Sequence, residues 1–412
     1  MQTLYGVSVV EDAVTNGDGG EGYSLSVPYD AFNPTVRFLS LELKNFLSYK
    51  SAVLDLTDFV ALVGPNSSGK SNAVAAIRLL REIPSYGLPL AVARRGGFDQ
   101  LRHRSRGHPN DPSLRLCFTL QGSDRKSTYF LSFGAVKGGQ YRVKRETAEL
   151  YYENGTVASF DRTGDTVRIM STGPDGDQDK WDFRAVAGQS VVPGAGLAGM
   201  TVYEVLQRMQ TVEVNPAKIG ELQEPSSTDS FESDGSNVAS IYESLDKKAR
   251  GDVISRLAAI VPGIESVDVT HLADKLTLRF KQHTDDGSAR TFLAKQMSDG
   301  TLRAFAILVA LFQKRRSSLL VIEEPEIAIH LGALTSLVQL LQAETSTTQV
   351  VITTHSADIV DALPLESLRV VWHENGVSNI APLAEHSKVP VKQGLITPGQ
   401  LLRSDSLDPF IG

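Results

Sequence analysis

The chain has 412 residues, of which 41% are hydrophobic and 22% charged, the balance of a soluble globular protein with one large or two medium domains. Acidic side chains outnumber basic ones by 48 to 41, so any contact with nucleic acid requires a local basic patch. The single cysteine, Cys117, excludes an intrachain disulfide and a zinc site built from cysteines. We find no membrane-length apolar run and no secretion signal, and therefore expect a cytoplasmic protein without membrane contact.

Changes in composition and in strand, helix and turn signals divide the chain into four predicted segments. Residues 1–35 are rich in Gly, Asp, Asn and Ser, and predict a flexible extension with a short strand near Leu4–Val10. Residues 36–110 and 291–412 carry the strand and helix signals of an α/β fold with parallel strands. Residues 111–290 are rich in strand and turn signals, and we interpret them as an insertion whose sequence indicates no chemistry.

Within the insertion, alternating apolar residues predict antiparallel strands. These lie at Leu114–Leu120, Tyr129–Val136 and Gln140–Val143, with Asn154-Gly155 as a hairpin turn. Residues 161–200 are heavy in Gly and Asp and predict loops, and residues 223–236 predict a surface loop. Helical spacing returns over Val238–Leu257.

A glycine-rich loop follows the apolar run Phe59–Val63 and precedes a segment with the apolar spacing of a helix, which ends near Pro84. Strand, loop and helix in this order predict a P-loop, whose backbone N–H groups form an anion nest at the helix N-terminus. Lys70 would reach the outer phosphates of a nucleotide, and the hydroxyl of Ser71 would hold Mg2+. The candidate phosphate-binding residues are Gly64, Pro65, Asn66, Ser67, Ser68, Gly69, Lys70, Ser71 and Asn72.

Two carboxylates end a later buried strand, at Glu323 and Glu324. Beside a P-loop, Glu323 is placed to bind Mg2+ directly or through water, and Glu324 to polarise the attacking water. His355 follows the next buried strand, at the same predicted sheet edge, where its imidazole can donate a hydrogen bond toward the γ-phosphate. The sequence therefore predicts Glu324 and His355 as catalytic residues.

Ser298, Asp299 and Gly300 begin another apolar helix, which supplies a second N-terminus suited to an anion. One subunit already fills its phosphate site with its own P-loop. A second anion site makes sense if two subunits face each other and each offers Ser298 and Gly300 to the partner's nucleotide.

The order of four motifs in this chain resembles that of one family. The motifs are the P-loop, the Ser-Asp-Gly signature, Ile322-Glu323-Glu324-Pro325-Glu326 and Thr353-Thr354-His355-Ser356. That family is the ABC-type ATPase head shared by structural-maintenance-of-chromosomes (SMC) proteins, RecF and OLD-type ATPases, and most of all compact predicted AAA-type ATPases of bacteria. The resemblance implies a P-loop NTPase of the ABC/SMC-head type, with a mixed sheet, a β-rich lobe and an inserted α+β region. It also implies ATP and Mg2+ as cofactors, and a homodimer that sandwiches ATP, with Ser298 and Gly300 contacting the γ-phosphate in trans.

Three positions depart from the family pattern. Glu323 stands where many relatives carry Asp, which preserves the carboxylate and alters the geometry around Mg2+. The signature is Ser-Asp-Gly instead of the transporter-like Ser-Gly-Gly, which favours the DNA-associated branch. The glutamine that senses Mg2+ is not identified, and Gln100 and Gln121 are its candidates.

The leading functional hypothesis is an ATP-hydrolysing dimer that switches a client in genome maintenance or in defence against phage. The basic residues between Arg94 and Arg106 make DNA a candidate client, although a solvated loop explains them equally simply; an effector protein is the other candidate. Three alternatives stay open. They are an OLD-like nuclease, the ATPase subunit of a membrane transporter, and a regulatory module that holds ATP without robust turnover.

Overall fold

A computed structural model describes residues 36–104, 110–136, 140–283 and 288–410. The predicted N-terminal extension (residues 1–35) and the end of the basic segment (residues 105–106) lie outside the described residues. No helix within the described ranges is both long enough and apolar enough to cross a membrane. The predicted segment boundaries at residues 35, 110 and 290 stay predictions.

The strands and helices are numbered in chain order. The strands are β1 (Val36–Phe46), β2 (Tyr49–Asp55), β3 (Phe59–Val63), β4 (Ser113–Leu120), β5 (Ser127–Ala135), β6 (Tyr141–Tyr151), β7 (Val157–Thr163), β8 (Thr166–Thr172), β9 (Gln178–Arg184), β10 (Met209–Val212), β11 (Ile264–Leu272), β12 (Lys275–His283), β13 (Ala289–Leu293), β14 (Leu319–Glu323), β15 (Gln349–Thr354), β16 (Leu368–Glu374) and β17 (Val377–Pro382). The helices are α1 (Lys70–Ala93), α2 (Phe98–Leu101), α3 (Gly196–Gln207), α4 (Pro216–Gly220), α5 (Val238–Ser244), α6 (Lys247–Ile260), α7 (Asp299–Phe312), α8 (Leu331–Ala343), α9 (Ala357–Asp361), α10 (Glu385–Lys392) and α11 (Pro398–Arg403).

The nucleotide-binding motifs belong to a six-stranded sheet with the order β10-β14-β15-β3-β16-β17, parallel except for the last pair. All five residues of β3 are buried, as expected for a central parallel strand covered on both faces. Glu323 pairs with Thr353, and Thr354 pairs with Val63. The carboxyl ends of β3, β14 and β15 therefore meet at one edge of the sheet, as the sequence predicts.

An eight-stranded antiparallel sheet, with the order β2-β1-β4-β5-β6-β7-β8-β9, forms the β-rich lobe. Its strands β4 to β7 alternate buried and more exposed residues, because one face packs on a core shared with α1 and α3. The antiparallel strands and the Asn154-Gly155 hairpin that the sequence predicts are thereby confirmed.

A second core lies between the other face of the parallel sheet and a three-stranded sheet, β11-β12-β13. Helix α7 crosses this core and is buried on every side from Thr301 to Phe312, which is why its sequence is apolar all round. The ring of Phe305 packs edge-on against Tyr242 and Phe280, with centroids 5.1 and 5.4 Å away. The helix that carries the Ser-Asp-Gly signature is therefore fixed by packing from Thr301 to its end.

Two local predictions are wrong, and one helix end agrees to within three residues. Residues 161–200 are not loops, because they contain the end of β7, all of β8 and β9, and the start of α3. Gly164 and Gly176 make turns with positive φ, and β9 is a mostly exposed edge strand that needs few apolar residues. The helix after the P-loop is predicted to end near Pro84, and its first stretch does break at Gly87, where φ is 77°; a second stretch then continues α1 to Ala93. The predicted helix over residues 238–257 is two helices, since Asp246 caps α6 by accepting a hydrogen bond from the backbone N–H of Ala249.

Candidate nucleotide-binding site

The P-loop connects β3 to α1 and adopts backbone conformations that require glycine. Gly64 and Gly69 have φ values of 152° and 117°. A Cβ atom on Gly64 would lie 2.0 Å from the carbonyl oxygen of Val371, and one on Gly69 would lie 2.4 Å from Oγ of Ser378. The hairpin of β16 and β17 therefore packs directly on the loop, which leaves no room for a side chain at either glycine.

Lys70 lies at the centre of the loop and is 5% exposed. Its ammonium group donates hydrogen bonds to the carbonyl oxygens of Gly64 (2.9 Å) and Pro65 (3.0 Å). Burial lowers the pKa of Lys70 to about 8, and the negative charges of Glu324 and Glu326 partly oppose this shift. The loop thus holds a cation that a phosphate group would stabilise.

The other side chains of the P-loop differ in their exposure and in their hydrogen bonds. The hydroxyl of Ser68 is buried without a hydrogen-bond partner among the described residues, which fits a donor reserved for a phosphate oxygen. Asn66 and Ser67 are exposed at the loop surface. Asn72, also a candidate, donates a hydrogen bond to Oγ of Ser48 (2.7 Å), and so ties α1 to the turn between β1 and β2.

The predicted Mg2+ ligands, Ser71 and Glu323, lie beside each other and share a hydrogen bond. Burial raises the pKa of Glu323, whereas its ion pair with Arg78 (2.5 Å) favours the charged form. The described ranges contain no group of three or more His, Cys, Asp and Glu side chains that could hold a metal ion. A cation at this position would therefore complete its coordination with phosphate and water oxygens, as Mg2+ commonly does.

The two predicted catalytic residues contact each other. Oε1 of Glu324 lies 3.1 Å from Nε2 of His355, and the other ring nitrogen, Nδ1, lies 3.4 Å from Nζ of Lys70. The side chains of Glu324 and His355 are 37% and 31% exposed, so water reaches both. The structure thus brings together a carboxylate, an imidazole and the P-loop ammonium at the carboxyl ends of β14, β15 and β3.

Glu326 is a residue of this site to which the sequence interpretation assigned no role. Its Oε1 accepts hydrogen bonds from the backbone N–H of His355 and from the hydroxyl of Thr354, both at 2.8 Å. Its Oε2 is buried and without a partner in the described part of the chain. The available signal was its position in the same acidic run, two residues after Glu324.

The signature residues lie at the exposed start of α7. Ser298 is the N-cap, since its Oγ accepts a hydrogen bond from the backbone N–H of Thr301 (3.2 Å). A Cβ atom on Gly300 would lie 2.2 Å from the carbonyl oxygen of Ala328. The signature is therefore anchored on the segment that follows Glu326, and its capping serine faces solvent.

The structure gives the contacts of the basic segment and of Gln100, and the position of Gln121, without assigning them a role in the site. Arg95 forms an ion pair with Glu82 (2.5 Å), and the backbone N–H of His103 bonds to Asn45 O (2.9 Å) in the hairpin before the P-loop. Gln100 accepts a hydrogen bond from Arg104 (3.4 Å), and Gln121 lies in the turn after β4. The assignment of a Mg2+-sensing glutamine stays a prediction.

The chain is similar to known proteins in sequence and in fold. The sequence matches the family described as "AAA domain, putative AbiEii toxin, Type IV TA system" over residues 59–179 and 209–361, more than half of the chain. It is also similar to Structural maintenance of chromosomes protein 1 of Arabidopsis thaliana, with 30% identity over 133 residues. Structural maintenance of chromosomes protein 4 of Schizosaccharomyces pombe is 28% identical over 134 residues. Each alignment covers 31% of this chain and 11% or 9% of the relative, so the chain spans about a tenth of the length of these curated relatives.

Two solved structures share the fold. One is an SmcHead bound to the C-winged helix domain of ScpA, with a TM-score of 0.53 and 16% identity, covering 85% of this chain and 99% of that one. The other is an Smc head domain with an extended coiled coil, bound to the C-terminal domain of ScpA and derived from Pyrococcus furiosus; its TM-score is 0.52 at 13% identity, covering 87% and 99%. The chain belongs to the family described as "AAA domain, putative AbiEii toxin, Type IV TA system" and has the fold of an SMC-like P-loop ATPase head.

Proposed function

We propose that this protein binds and hydrolyses ATP with Mg2+, and that it dimerises through ATP as a switch on a client molecule. The observation that carries the proposal is the contact chain from Glu324 through His355 to Lys70. Phosphoryl transfer to water needs a cation at the phosphates, a group that orients the water, and a donor that stabilises charge on the γ-phosphate. Lys70, Glu324 and His355 are suited to these three roles.

The role of each residue follows from its position. Lys70 and the hydroxyl of Ser68 would bind phosphate oxygens, and Ser71 with Glu323 would hold Mg2+, which neutralises developing charge on the phosphates. Glu324 would orient the attacking water as a carboxylate, because the exposed third of its side chain leaves a path for water. His355 would donate from the side that faces Lys70.

The dimer proposal is supported by the exposed N-terminus of α7. A helix N-terminus with an exposed serine hydroxyl is a favourable environment for an anion. The contacts of Ser298 and Gly300 are with Thr301 and Ala328, so the solvent side of the signature is open to a second molecule. A partner subunit's nucleotide is the anion that the resemblance to ABC-type heads suggests.

Size-exclusion chromatography with light scattering tests the switch. We expect the Glu324→Gln variant to elute as a dimer with ATP and Mg2+ and as a monomer without nucleotide, because slow hydrolysis preserves the ATP-bound form. Ser298→Arg in the same background should stay monomeric. The control is Glu265→Gln in the same Glu324→Gln background, which alters a surface pair with Lys281 and should still elute as a dimer with ATP and Mg2+. A Glu324→Gln protein that binds ATP but stays monomeric would contradict the proposal.

A steady-state phosphate-release assay separates turnover from mere ATP storage. We expect ATP-dependent phosphate release from the wild-type protein and its loss in Glu324→Gln, since this exchange removes the charged group that orients water. Equal release from both proteins would remove Glu324 from the mechanism. No release from wild type would favour an ATP-holding regulatory module.

For the client we propose DNA or an effector protein, in genome maintenance or in defence against phage. The similarity to SMC proteins and the toxin and Type IV TA wording of the family description support these two settings. Capture of clients on the ATP-bound Glu324→Gln variant, with Lys70→Ala as the control that lacks bound ATP, tests this part. Equal recovery of DNA and proteins from both variants would contradict an ATP-dependent client.

A further inference from the structure

A second polar pocket, of about 530 Å³, lies along α1 between Arg78 and Arg94. Its walls come from α1, from the edge strand β10, from the loop around Ser230, and from the segment between α7 and β14. This volume lies within the range of sites for small organic ligands. None of the nucleotide-binding motifs described above supplies its lining, although one lining residue, Arg78, pairs with Glu323.

Five arginines line this pocket, against three carboxylates. They are Arg78, Arg81, Arg94, Arg315 and Arg316, and the carboxylates are Glu82, Asp229 and Glu232. Glu82 is already paired with Arg95 (2.5 Å), and the side chains of Asp229 and Glu232 are at the exposed rim. Three of the arginines also form ion pairs: Arg78 with Glu323, Arg315 with Glu204, and Arg316 with Glu344. The positive charge of the pocket therefore rests on Arg81 and Arg94, which form no ion pair within the described ranges.

Arg81 is the central cation of the pocket. Its guanidinium donates to two neutral hydroxyls, Oγ of Ser85 (2.7 Å) and Oγ of Ser230 (2.9 Å), and its buried Nε has no partner among the described residues. Burial lowers the pKa of Arg81, and the positive charge of Arg315 lowers it further. Arg315 already pairs with Glu204 and donates to Oε1 of Gln207 (2.6 Å), whereas Arg81 has no carboxylate partner among the described residues. An anion beside Arg81 would neutralise its charge and relieve its repulsion with Arg315.

Two more observations indicate a ligand. Ser317 lines the pocket, is 6% exposed, and has a hydroxyl without a hydrogen-bond partner in the described ranges. Such buried hydroxyls are normally satisfied. At the rim, the guanidinium of Arg94 lies 3.9 Å from the centre of the Tyr86 ring, and this pair forms a flat surface beside the basic interior.

We infer that this pocket binds a nucleoside monophosphate, with its phosphate between Arg81 and Arg315 and its base on the surface formed by Tyr86 and Arg94. Arginine forks match the oxygens of a phosphate, and aromatic rings and guanidinium planes stack on bases. The pocket is distinct from the P-loop site.

The pocket also connects to the proposed Mg2+ site. Arg78 lines it and pairs with both Glu323 (2.5 Å) and Glu213 (2.9 Å). Arg78 and Arg81 are three residues apart on α1 and therefore neighbours on its surface, so a phosphate bound at Arg81 would compete with Glu323 for the guanidinium of Arg78. If the proposed ATPase function holds, the bound nucleotide would therefore change the charge balance at the carboxylate that holds Mg2+.

Isothermal titration calorimetry on the full chain tests the inference in a Lys70→Ala background, which weakens binding at the P-loop. The probes are AMP, GMP, CMP and UMP, with the four nucleosides and inorganic phosphate as separate arms. We expect saturable binding of at least one monophosphate, and Kd values at least about tenfold weaker for its nucleoside and for inorganic phosphate. The result does not depend on ATP turnover, so it can fail while the proposed function stands.

Variants locate the site. Arg81→Gln should lower the affinity for the monophosphate by at least about tenfold. Arg94→Gln should lower the affinity by a smaller factor, and because the Arg94 side chain is exposed, this exchange should leave the fold intact. Arg115→Gln is the matched control, because Arg115 also lies over an aromatic ring, that of Phe130 at 4.9 Å, but on β4. The inference is overturned if no monophosphate binds saturably, if the nucleoside or phosphate binds as tightly, or if Arg94→Gln and Arg81→Gln leave the affinity unchanged.

Discussion

Lys70 is a buried cation whose nearest acceptors are two neutral carbonyl oxygens. Removing an ammonium group from water disfavours its charged form, and this is why the pKa falls to about 8 although Glu324 and Glu326 oppose the shift. Nucleotide phosphates would stabilise the charged form and raise that pKa again. Binding should therefore be linked to proton uptake near pH 8.

We predict that ATP affinity falls as the pH rises above about 8, approaching about tenfold per pH unit, because only the ammonium form of Lys70 is competent. Fluorescence titration with a labelled ATP analogue between neutral and alkaline pH measures the affinity. Calorimetry in buffers of different ionisation enthalpy measures the proton taken up. Lys70→Arg is the control, because a guanidinium stays charged, and its affinity, even if weaker, should be flat across this range.

Glu326 stabilises the position of His355 through the peptide N–H of that residue and through Thr354. We predict that Glu326→Gln lowers ATP turnover on the order of 10- to 100-fold while ATP affinity stays nearly unchanged, because the imidazole is misplaced and the P-loop is not. Single-turnover kinetics and nucleotide binding measure the two effects. Thr354→Val removes the side-chain donor to Glu326, and a double variant no worse than Glu326→Gln would show that the Thr354 hydroxyl acts through its hydrogen bond to Glu326.

At the scale of elements, the β-rich lobe is fixed by a buried ion pair between facing residues of β6 and β7. Glu146 and Arg162 are directly opposite each other and fully buried, with 3.7 Å between Oε2 and Nη1. Glu146 also accepts from the hydroxyl of Tyr129 (2.8 Å), and Arg162 donates to the carbonyl oxygens of Gly164 (2.8 Å) and Val186 (2.9 Å). The network therefore ties the segment before α3 to the sheet.

We predict that Arg162→Met lowers the free energy of unfolding by about 3–5 kcal/mol, because it leaves the Glu146 carboxyl buried without its cationic partner. Urea unfolding followed by circular dichroism measures the change. The matched control is Arg145→Met on the same two strands, where Arg145 pairs with Asp161 at 3.3 Å in solvent, with 59% and 53% exposure. That variant should lose less than about 1 kcal/mol. Similar losses in both variants would show that burial of the pair does not matter.

At the scale of the whole molecule, the proposed ATP site is composite: Lys70 would come from one subunit and Ser298 from the other. We predict that Lys70→Ala and Ser298→Arg proteins are each inactive, and that mixing them restores part of the ATPase activity. The mixed dimer contains one site with an intact P-loop facing an intact signature. Phosphate release from the mixture, compared with the sum of the two separate proteins, measures the recovery. A mixture that is no more active than that sum would contradict a site shared between subunits.

The sequence by itself determined the elements whose signal is local. The apolar run of β3, the glycines of the P-loop and the helical spacing after them describe neighbouring residues, as do the carboxylates that end β14 and the capping serine before α7. Parallel pairing then places the ends of β3, β14 and β15 at one edge, so the meeting of Lys70, Glu324 and His355 follows from their order in the chain.

Only the tertiary structure decided which distant groups touch. The packing of Ser378 on Gly69, the contacts of Glu326 with His355 and the arginine pocket along α1 join residues far apart in the chain, and no periodicity encodes such contacts. The edge strand β9 was missed for a related reason: its hydrogen bonds to β8 fix it, while its side chains stay polar and largely exposed. Local patterns record backbone preference and which face is buried, whereas partners across the fold are chosen by packing and charge in three dimensions.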